Sequence, residues 1–234
     1  NDSLILITQS PDYKLPTSAC LLQDRLGLPK DIFAFDVNLG CSGYVYGLSI
    51  AGSMMESNLA EKILLLCADT YTHYISEDNR ACRPIFSDAA AATLLEKDPL
   101  GQVGPFVFGS DGSGAHHLKV PNSGARVTHD EPQELFMEGS KVFSFTLEEV
   151  PRAVQKLLHE SGQSLEEVDW VIFHQASQVV IENLMRRLRL PEEKVFSNYE
   201  SRGNTVSATL PIALQDAEDA GLLRRGDQVL LVGF

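Results

Sequence analysis

The chain has 234 residues, 44 % of them apolar and 22 % charged, a balance that excludes a disordered or collagen-like polymer. At about 150 residues per domain it holds one large domain or two modest ones, enough to bury about 70 % of the unfolded chain's surface. Asp and Glu number 32 against 19 Lys and Arg, a net charge of −13, which counts against a global electrostatic grip on nucleic acid or anionic lipid. No run approaches the roughly 18 consecutive apolar residues of a membrane helix.

Taken in order, the pattern opens on Ser3-Leu4-Ile5-Leu6-Ile7-Thr8, an apolar run that predicts a strand over 4–8. Asn1-Asp2-Ser3 before it carry no positive charge leading into an apolar stretch, so no signal peptide is read. A helix is expected at 17–27, a strand at 32–37, a helix at 41–57, and strands at 62–68, 90–96 and 103–109. Next come a helix at 141–161, which Pro151 would kink or break, a strand at 169–173, helices at 176–189 and 206–221, and a strand at 228–232. Apolar strands flush with both ends of the chain suggest a fragment of a longer protein. Most strands read as continuous apolar runs, which suits a sheet covered by helices on both faces. Their alternation with helices predicts an α/β protein with mixed or parallel sheets. The segment 97–135, rich in Gly, Pro, Asp and His, reads as a connector carrying short strands between two halves.

Four places carry residues suited to chemistry. In Asp36-Val37-Asn38-Leu39-Gly40-Cys41-Ser42-Gly43 a strand turns sharply into a small-residue helix, with a thiol at the helix start. Backbone N–H groups and the helix dipole there favour a thiolate nucleophile and can hold an oxyanion. The alternative is a buried structural cysteine, the reading given to Cys20, Cys67 and Cys82, which lack this setting. The four cysteines form no C-x-x-C pair and no cluster with His, so a reducing cytoplasm is expected, with neither a disulfide framework nor a metal site. In Trp170-Val171-Ile172-Phe173-His174-Gln175-Ala176 a strand ends in His, the usual general base or hydrogen-bond donor; a structural His is the alternative. His73, His116, His117, His129 and His159 read as solvated. In Arg202-Gly203-Asn204-Thr205, Asn204 or Thr205 either caps the next helix or, for Asn204, aims its amide at a substrate carbonyl. Phe86-Ser87-Asp88-Ala89-Ala90 turns into a strand of small residues suited to close packing. Arg186, Arg187 and Arg189 make a basic cluster that is either a solvated face or a dock for a phosphate or an acidic protein.

The spaced set Cys41, His174-Gln175-Ala176 and Gly203-Asn204-Thr205 resembles the β-ketoacyl-acyl-carrier-protein synthase III family of condensing enzymes. The likeness extends to Leu15-Pro16-Thr17-Ser18-Ala19-Cys20, Arg80 to Ala92 and Ser110-Asp111-Gly112-Ser113-Gly114. The resemblance implies a thiolase-like fold, layered αβαβα, with two related halves of mixed sheet at 1–100 and 101–234. It implies a cytoplasmic homodimer that uses acyl-CoA and acyl carrier protein, with no cofactor, metal, nucleic acid or membrane. Cys41 would be acylated, and His174 and Asn204 would hold the malonyl thioester carbonyl during decarboxylation. An acyltransferase with a non-malonyl acceptor, or a non-catalytic assembly half, is the alternative. By the same resemblance Arg80 matches a residue that contacts the CoA nucleotide, Arg186 and Arg187 match a basic pair for carrier-protein docking, and Leu15 stands where an aromatic lines the partner subunit's acyl pocket. Ser177 and Val179 depart from the family's Asn and Arg, and Ser87 and Ala89 replace glycines. The family's second oxyanion N–H lies in a Gly-rich loop that would follow Phe234, and its first strand–helix portion would precede Asn1.

Overall fold

The structure, a computed structural model, describes residues 2–98, 101, 103–127 and 130–234. Asn1, Leu100 at the expected boundary between halves, and His129 lie outside the described residues.

Strand β1 (Ser3–Ile7) is buried along its whole length and forms the middle of the first sheet. It pairs in parallel with β2 (Phe33–Val37) on one side and β3 (Lys62–Asp69) on the other. Strand β4 (Ala89–Glu96) adds antiparallel to β3, giving the order β2-β1-β3-β4. Successive side chains of a strand point to opposite faces. Leu4 and Leu6 therefore pack with Ala19 and Leu22 of α1 (Ser18–Arg25), while Ile5 and Ile7 pack with Leu48, Ala51 and Met54 of α2 (Gly43–Glu56). Asp36 on β2 accepts the backbone N–H groups of Ser18 (2.8 Å) and Ala19 (2.7 Å), a carboxylate supplied from the sheet to the start of α1.

A small antiparallel pair, β5 (Leu118–Lys119) with β6 (Phe136–Met137), precedes α3 (Gly139–Ser161). The second sheet follows. Its central β7 (Trp170–Phe173) pairs in parallel with β8 (Val195–Phe196) and β9 (Val229–Val232), in the order β8-β7-β9. Helix α4 (Gln178–Leu188) joins β7 to β8; α5 (Tyr199–Arg202) and α6 (Thr209–Asp219) join β8 to β9. Each sheet thus has a central strand with a parallel neighbour on each side, and a crossover helix after each of its first two strands. One core cluster contains Leu48 and Ala51 of α2, Leu210 and Ala213 of α6, Ile5 and Leu65 of the first sheet and Ile172 of the second. Helices α2 and α6 are therefore the middle layer between two sheets. Val150 and Val154 of α3 and Ile181 and Leu184 of α4 cover the far face of the second sheet. The result is the five-layered αβαβα arrangement of a thiolase-like fold.

Close approach of α2 to the first sheet depends on glycine. A Cβ at Gly43 would lie 2.3 Å from Ile7 Cγ2, and one at Gly47 would lie 2.7 Å from Leu65 Cδ1. Gly43→Ala is expected to destabilise the fold by about 1–3 kcal/mol through overpacking. Thermal unfolding checks this, and an unchanged melting temperature would contradict it.

Several expectations need correction. Residues 103–109 form no strand; Phe106 stacks on Phe108 (5.8 Å) and Phe108 lies against Tyr46 of α2 (4.5 Å), so apolar side chains that suggested a ladder pack as rings on a helix instead. Helix α3 runs unbroken through Pro151. The helix expected at 206–221 is a short 3₁₀ turn over Val206–Ala208 followed by α6. The two-residue strands β5, β6 and β8 are too short to leave a periodic signal. His117 is half-buried with its Nδ1 2.7 Å from Glu138 Oε2, whereas His73, His116 and His159 are exposed. Cys67 and Cys82 are buried, and Cys20 is exposed.

Candidate active site

Parallel α/β sheets present their sites beyond the carboxyl ends of their strands. Cys41 follows β2 and Asn204 follows β8, at corresponding places in the two sheets. His174 follows β7, Gly233 follows β9, and Asp69 closes β3.

Cys41 sits two residues before α2, in a turn closed by Gly43 N–H donating to the Gly40 carbonyl (2.7 Å). Two glycines bring other segments onto this turn. A Cβ at Gly40 would lie 3.3 Å from Val206 Cγ1, and one at Gly233 would lie 2.8 Å from Ser42 Cα and 3.2 Å from the Cys41 carbonyl oxygen. Phe234, next in the chain, meets the His174 ring edge-on at 5.3 Å. The Cys41 turn, the residues after β8 and the residues after β9 therefore converge.

His174 is 1 % exposed. Its backbone N–H donates to the Val232 carbonyl (2.7 Å), and its ring Nδ1 is 2.7 Å from Thr209 Oγ1. The neighbouring Gln175 amide donates to the Phe173 carbonyl (2.7 Å) and accepts from Ser197 Oγ (2.8 Å) and Asn198 N–H (3.1 Å), tying the end of β7 to the end of β8. Asn204 is held on three sides. Its N–H donates to the Ile85 carbonyl (2.9 Å), its carbonyl accepts Ser87 N–H (2.9 Å), and its side-chain Oδ1 accepts Val206 N–H (2.9 Å). Because Oδ1 is used by the backbone, the amide Nδ2 is left as the group that can donate outward. Gly203 enters this bend at φ 69°, with a would-be Cβ 3.2 Å from the Ile85 carbonyl, so a side chain there is excluded. Val206 holds φ 57°, strained for a β-branched residue, and is fully buried.

Asp69 was not singled out in the sequence. It is 1 % exposed and accepts Gln9 N–H (2.8 Å), Ser207 N–H (3.2 Å) and Ser207 Oγ–H (2.5 Å), so a carboxylate of the first sheet anchors the turn that carries Asn204. The available signal was a charged residue ending the apolar run Ile63 to Ala68. Burial pushes its carboxyl above the ordinary range, and its hydrogen bonds, those from Ser207 first, partly offset that.

The electrostatics overturn one expectation. Burial, and then the charge of Asp69, push the Cys41 thiol up to about 12, although the residue keeps some exposed surface. Its own backbone N–H opposes the shift but does not win. Cys41 is thus a protonated thiol in the resting site, not a thiolate. Burial holds His174 down to about 3, so its imidazole is neutral near pH 7. Tyr71, whose hydroxyl donates to Gln9 Oε1, is also pushed up by burial, with the charge of Asp69 adding to the shift. Only the thiolate is alkylated readily. Iodoacetamide labelling of Cys41 is therefore expected to be slow at pH 7 and to rise about tenfold per pH unit through the alkaline range. Asp69→Asn, which removes the repelling charge, should raise the rate at fixed pH. A labelling rate that levels off below pH 8 would contradict this environment.

The other expected positions lie on the surface: Arg80, Arg186 and Arg187 are exposed, and Leu15 is 82 % exposed. Arg187 borders a shallow hollow with Arg152, Phe143 and Leu147. A cavity of about 730 Å³ lies between α2, α3 and β9 and borders the site at Val232 and Gly233. Among the described residues no group of three or more His, Cys, Asp or Glu is placed to hold a metal ion, and no helix is long and apolar enough to cross a membrane.

The family description 3-oxoacyl-[acyl-carrier-protein] synthase III matches residues 35–112, and that of the C-terminal part of the same synthase matches residues 158–234. The β-ketoacyl-[acyl-carrier-protein] synthase III of Syntrophomonas wolfei is 37 % identical over the whole chain, which covers 72 % of that protein. The synthase of the same name from Clostridium tetani is 33 % identical, again over the whole chain and 73 % of that protein. A crystal structure of a 3-oxoacyl-(acyl-carrier-protein) synthase III superposes on the whole chain with a TM-score of 0.95 at 43 % identity, covering 74 % of that chain.

Proposed function

The chain belongs to the 3-oxoacyl-[acyl-carrier-protein] synthase III family, and we propose that it condenses an acyl-CoA with malonyl-acyl-carrier protein through Cys41, His174 and Asn204. The observation that carries this reading is the convergence of three strand ends on one thiol. The Cys41 turn lies against Val206 and Gly233, with the Asn204 amide and the His174 ring fixed by buried hydrogen bonds beside it.

The Cys41 sulfur attacks the acyl-CoA thioester carbonyl, the bond between the acyl carbon and the CoA sulfur breaks, and the thiol proton leaves on that sulfur as CoA. The malonyl thioester then enters with its carbonyl oxygen facing Asn204 Nδ2 and His174 Nε2. Loss of CO₂ leaves its bonding electrons on the thioester as an enolate, whose oxygen both groups stabilise. The enolate carbon attacks the acyl carbonyl on Cys41, the C–S bond breaks, and the Cys41 thiolate takes a proton from water.

The two sheets, with the same arrangement around a central strand, support a division into related halves at 1–100 and 101–234. The exposed Arg186 and Arg187 are a surface for the acidic carrier protein, Arg80 for the CoA nucleotide, and the exposed Leu15 for the acyl pocket of a second subunit. Four unpaired cysteines support a reducing cytoplasm. The test is to incubate the protein with acyl-CoA and malonyl-acyl-carrier protein and follow CO₂ and the carrier-bound product. One CO₂ released per 3-oxoacyl thioester formed supports the reading. Acyl transfer without CO₂ favours a non-malonyl acceptor instead.

A further inference from the structure

We propose that Thr209 is the positioning residue that makes His174 a hydrogen-bond donor toward the substrate; this rests on the catalytic assignment of His174 above. A neutral imidazole carries one hydrogen, on Nδ1 or on Nε2, and only the second form donates into the site. The partner of Nδ1 decides between them. That partner is the Thr209 hydroxyl, 2.7 Å away and 2 % exposed. A hydroxyl also has one hydrogen, and Thr209 Oγ1 has two possible acceptors: His174 Nδ1, and the Val206 carbonyl at 3.1 Å. The Val206 carbonyl already accepts the backbone N–H of Thr209. The Val206 carbonyl can accept a second hydrogen, but the contact to Nδ1 is shorter, 2.7 Å against 3.1 Å, and on that difference the hydroxyl hydrogen is assigned to Nδ1 and the imidazole hydrogen to Nε2.

The same short turn sets the second donor. Val206 N–H occupies Asn204 Oδ1 and leaves Nδ2 to face outward. One turn, from Val206 to Thr209, thus fixes both groups as donors by spending one N–H and one O–H on their acceptor atoms. Asp69, through Ser207, holds that turn to the first sheet, where Cys41 is.

The test compares Thr209→Val, which keeps the shape and removes the hydroxyl, with Thr209→Ser, which keeps the hydroxyl. Thr209→Val is expected to lower the kcat of condensation by about 10- to 100-fold, with acylation of Cys41 by acyl-CoA and the KM for the malonyl substrate little changed. Thr209→Ser should restore most of the loss. Nitrogen-15 NMR of the His174 ring should show the hydrogen on Nε2 in the natural protein and a shift toward Nδ1 in Thr209→Val. A ring already protonated on Nδ1 in the natural protein overturns the proposal, as does normal condensation by a folded Thr209→Val. If Thr209→Val does not fold, the ring signal of the natural protein and the activity of Thr209→Ser still decide. His174→Ala separates the two levels: if it leaves condensation intact, the assignment of His174 itself has failed, whereas selective loss there with none in Thr209→Val sinks the role of Thr209 alone.

Discussion

Cys41→Ala is expected to leave a folded protein that takes up no acyl group and forms no 3-oxoacyl product, a loss of about 10³-fold or more. The size follows from what is removed. The sulfur is the atom that bonds to the acyl carbon, and neither Ser42 nor Gly40 offers a thiol in its place. The cost to stability should be small, because Cys41 keeps some exposed surface and Ala fits the turn that Gly40, Gly43 and Gly233 crowd on other sides. Intact-mass measurement after incubation with acyl-CoA checks the first step, and carrier-bound product checks the second. An acyl adduct of unchanged yield in Cys41→Ala would place the nucleophile elsewhere.

The second large effect concerns the division of labour between the two steps. His174→Ala and Asn204→Ala should each lower decarboxylative condensation by about 10²- to 10³-fold, the usual consequence of losing one donor to a developing oxyanion. Acylation of Cys41 should fall less, since that step needs the sulfur and an acyl thioester and develops no enolate. Burst-phase acylation and steady-state condensation, measured side by side on each variant, read the difference. Equal losses in both steps would mean that His174 serves chiefly as the base for the thiol. Activity should also fail to follow an ordinary histidine titration near pH 6.5, because burial keeps His174 neutral well below that pH.

Much of this was legible in the sequence because it is carried by local pattern. The continuous apolar runs at 4–8, 62–68 and 169–173 gave buried parallel strands, and the turn at Gly40-Cys41 gave the place of the proposed nucleophile between strand and helix. His174 and Asn204 were readable as polar residues at element ends. Three things were not. The strand β8, only two residues long, has no periodicity, yet it is the strand whose end leads to Asn204. The thiolate expected at a helix start was reversed by desolvation and by Asp69, a neighbour 28 residues away in sequence that only folding brings near. Thr209 and Ser207 looked like helix residues, and their hydrogen bonds to His174 and Asp69 cross between segments 35 and 138 residues apart. Long-range polar partners leave no mark in a pattern of apolar spacing. The strand misread at 103–109 is the converse case, apolar residues that find rings instead of a ladder.

The central claim is that Cys41 carries the acyl group in a site where His174 and Asn204 act on the malonyl thioester. The most direct measurement is to isolate the protein after a single addition of acyl-CoA, map the adduct by peptide mass spectrometry, and then add malonyl-acyl-carrier protein. The account predicts one acyl group on the peptide containing Cys41, discharged with release of one CO₂. An adduct on the exposed Cys20, or one on Cys41 that malonyl-acyl-carrier protein fails to discharge with CO₂, would contradict it.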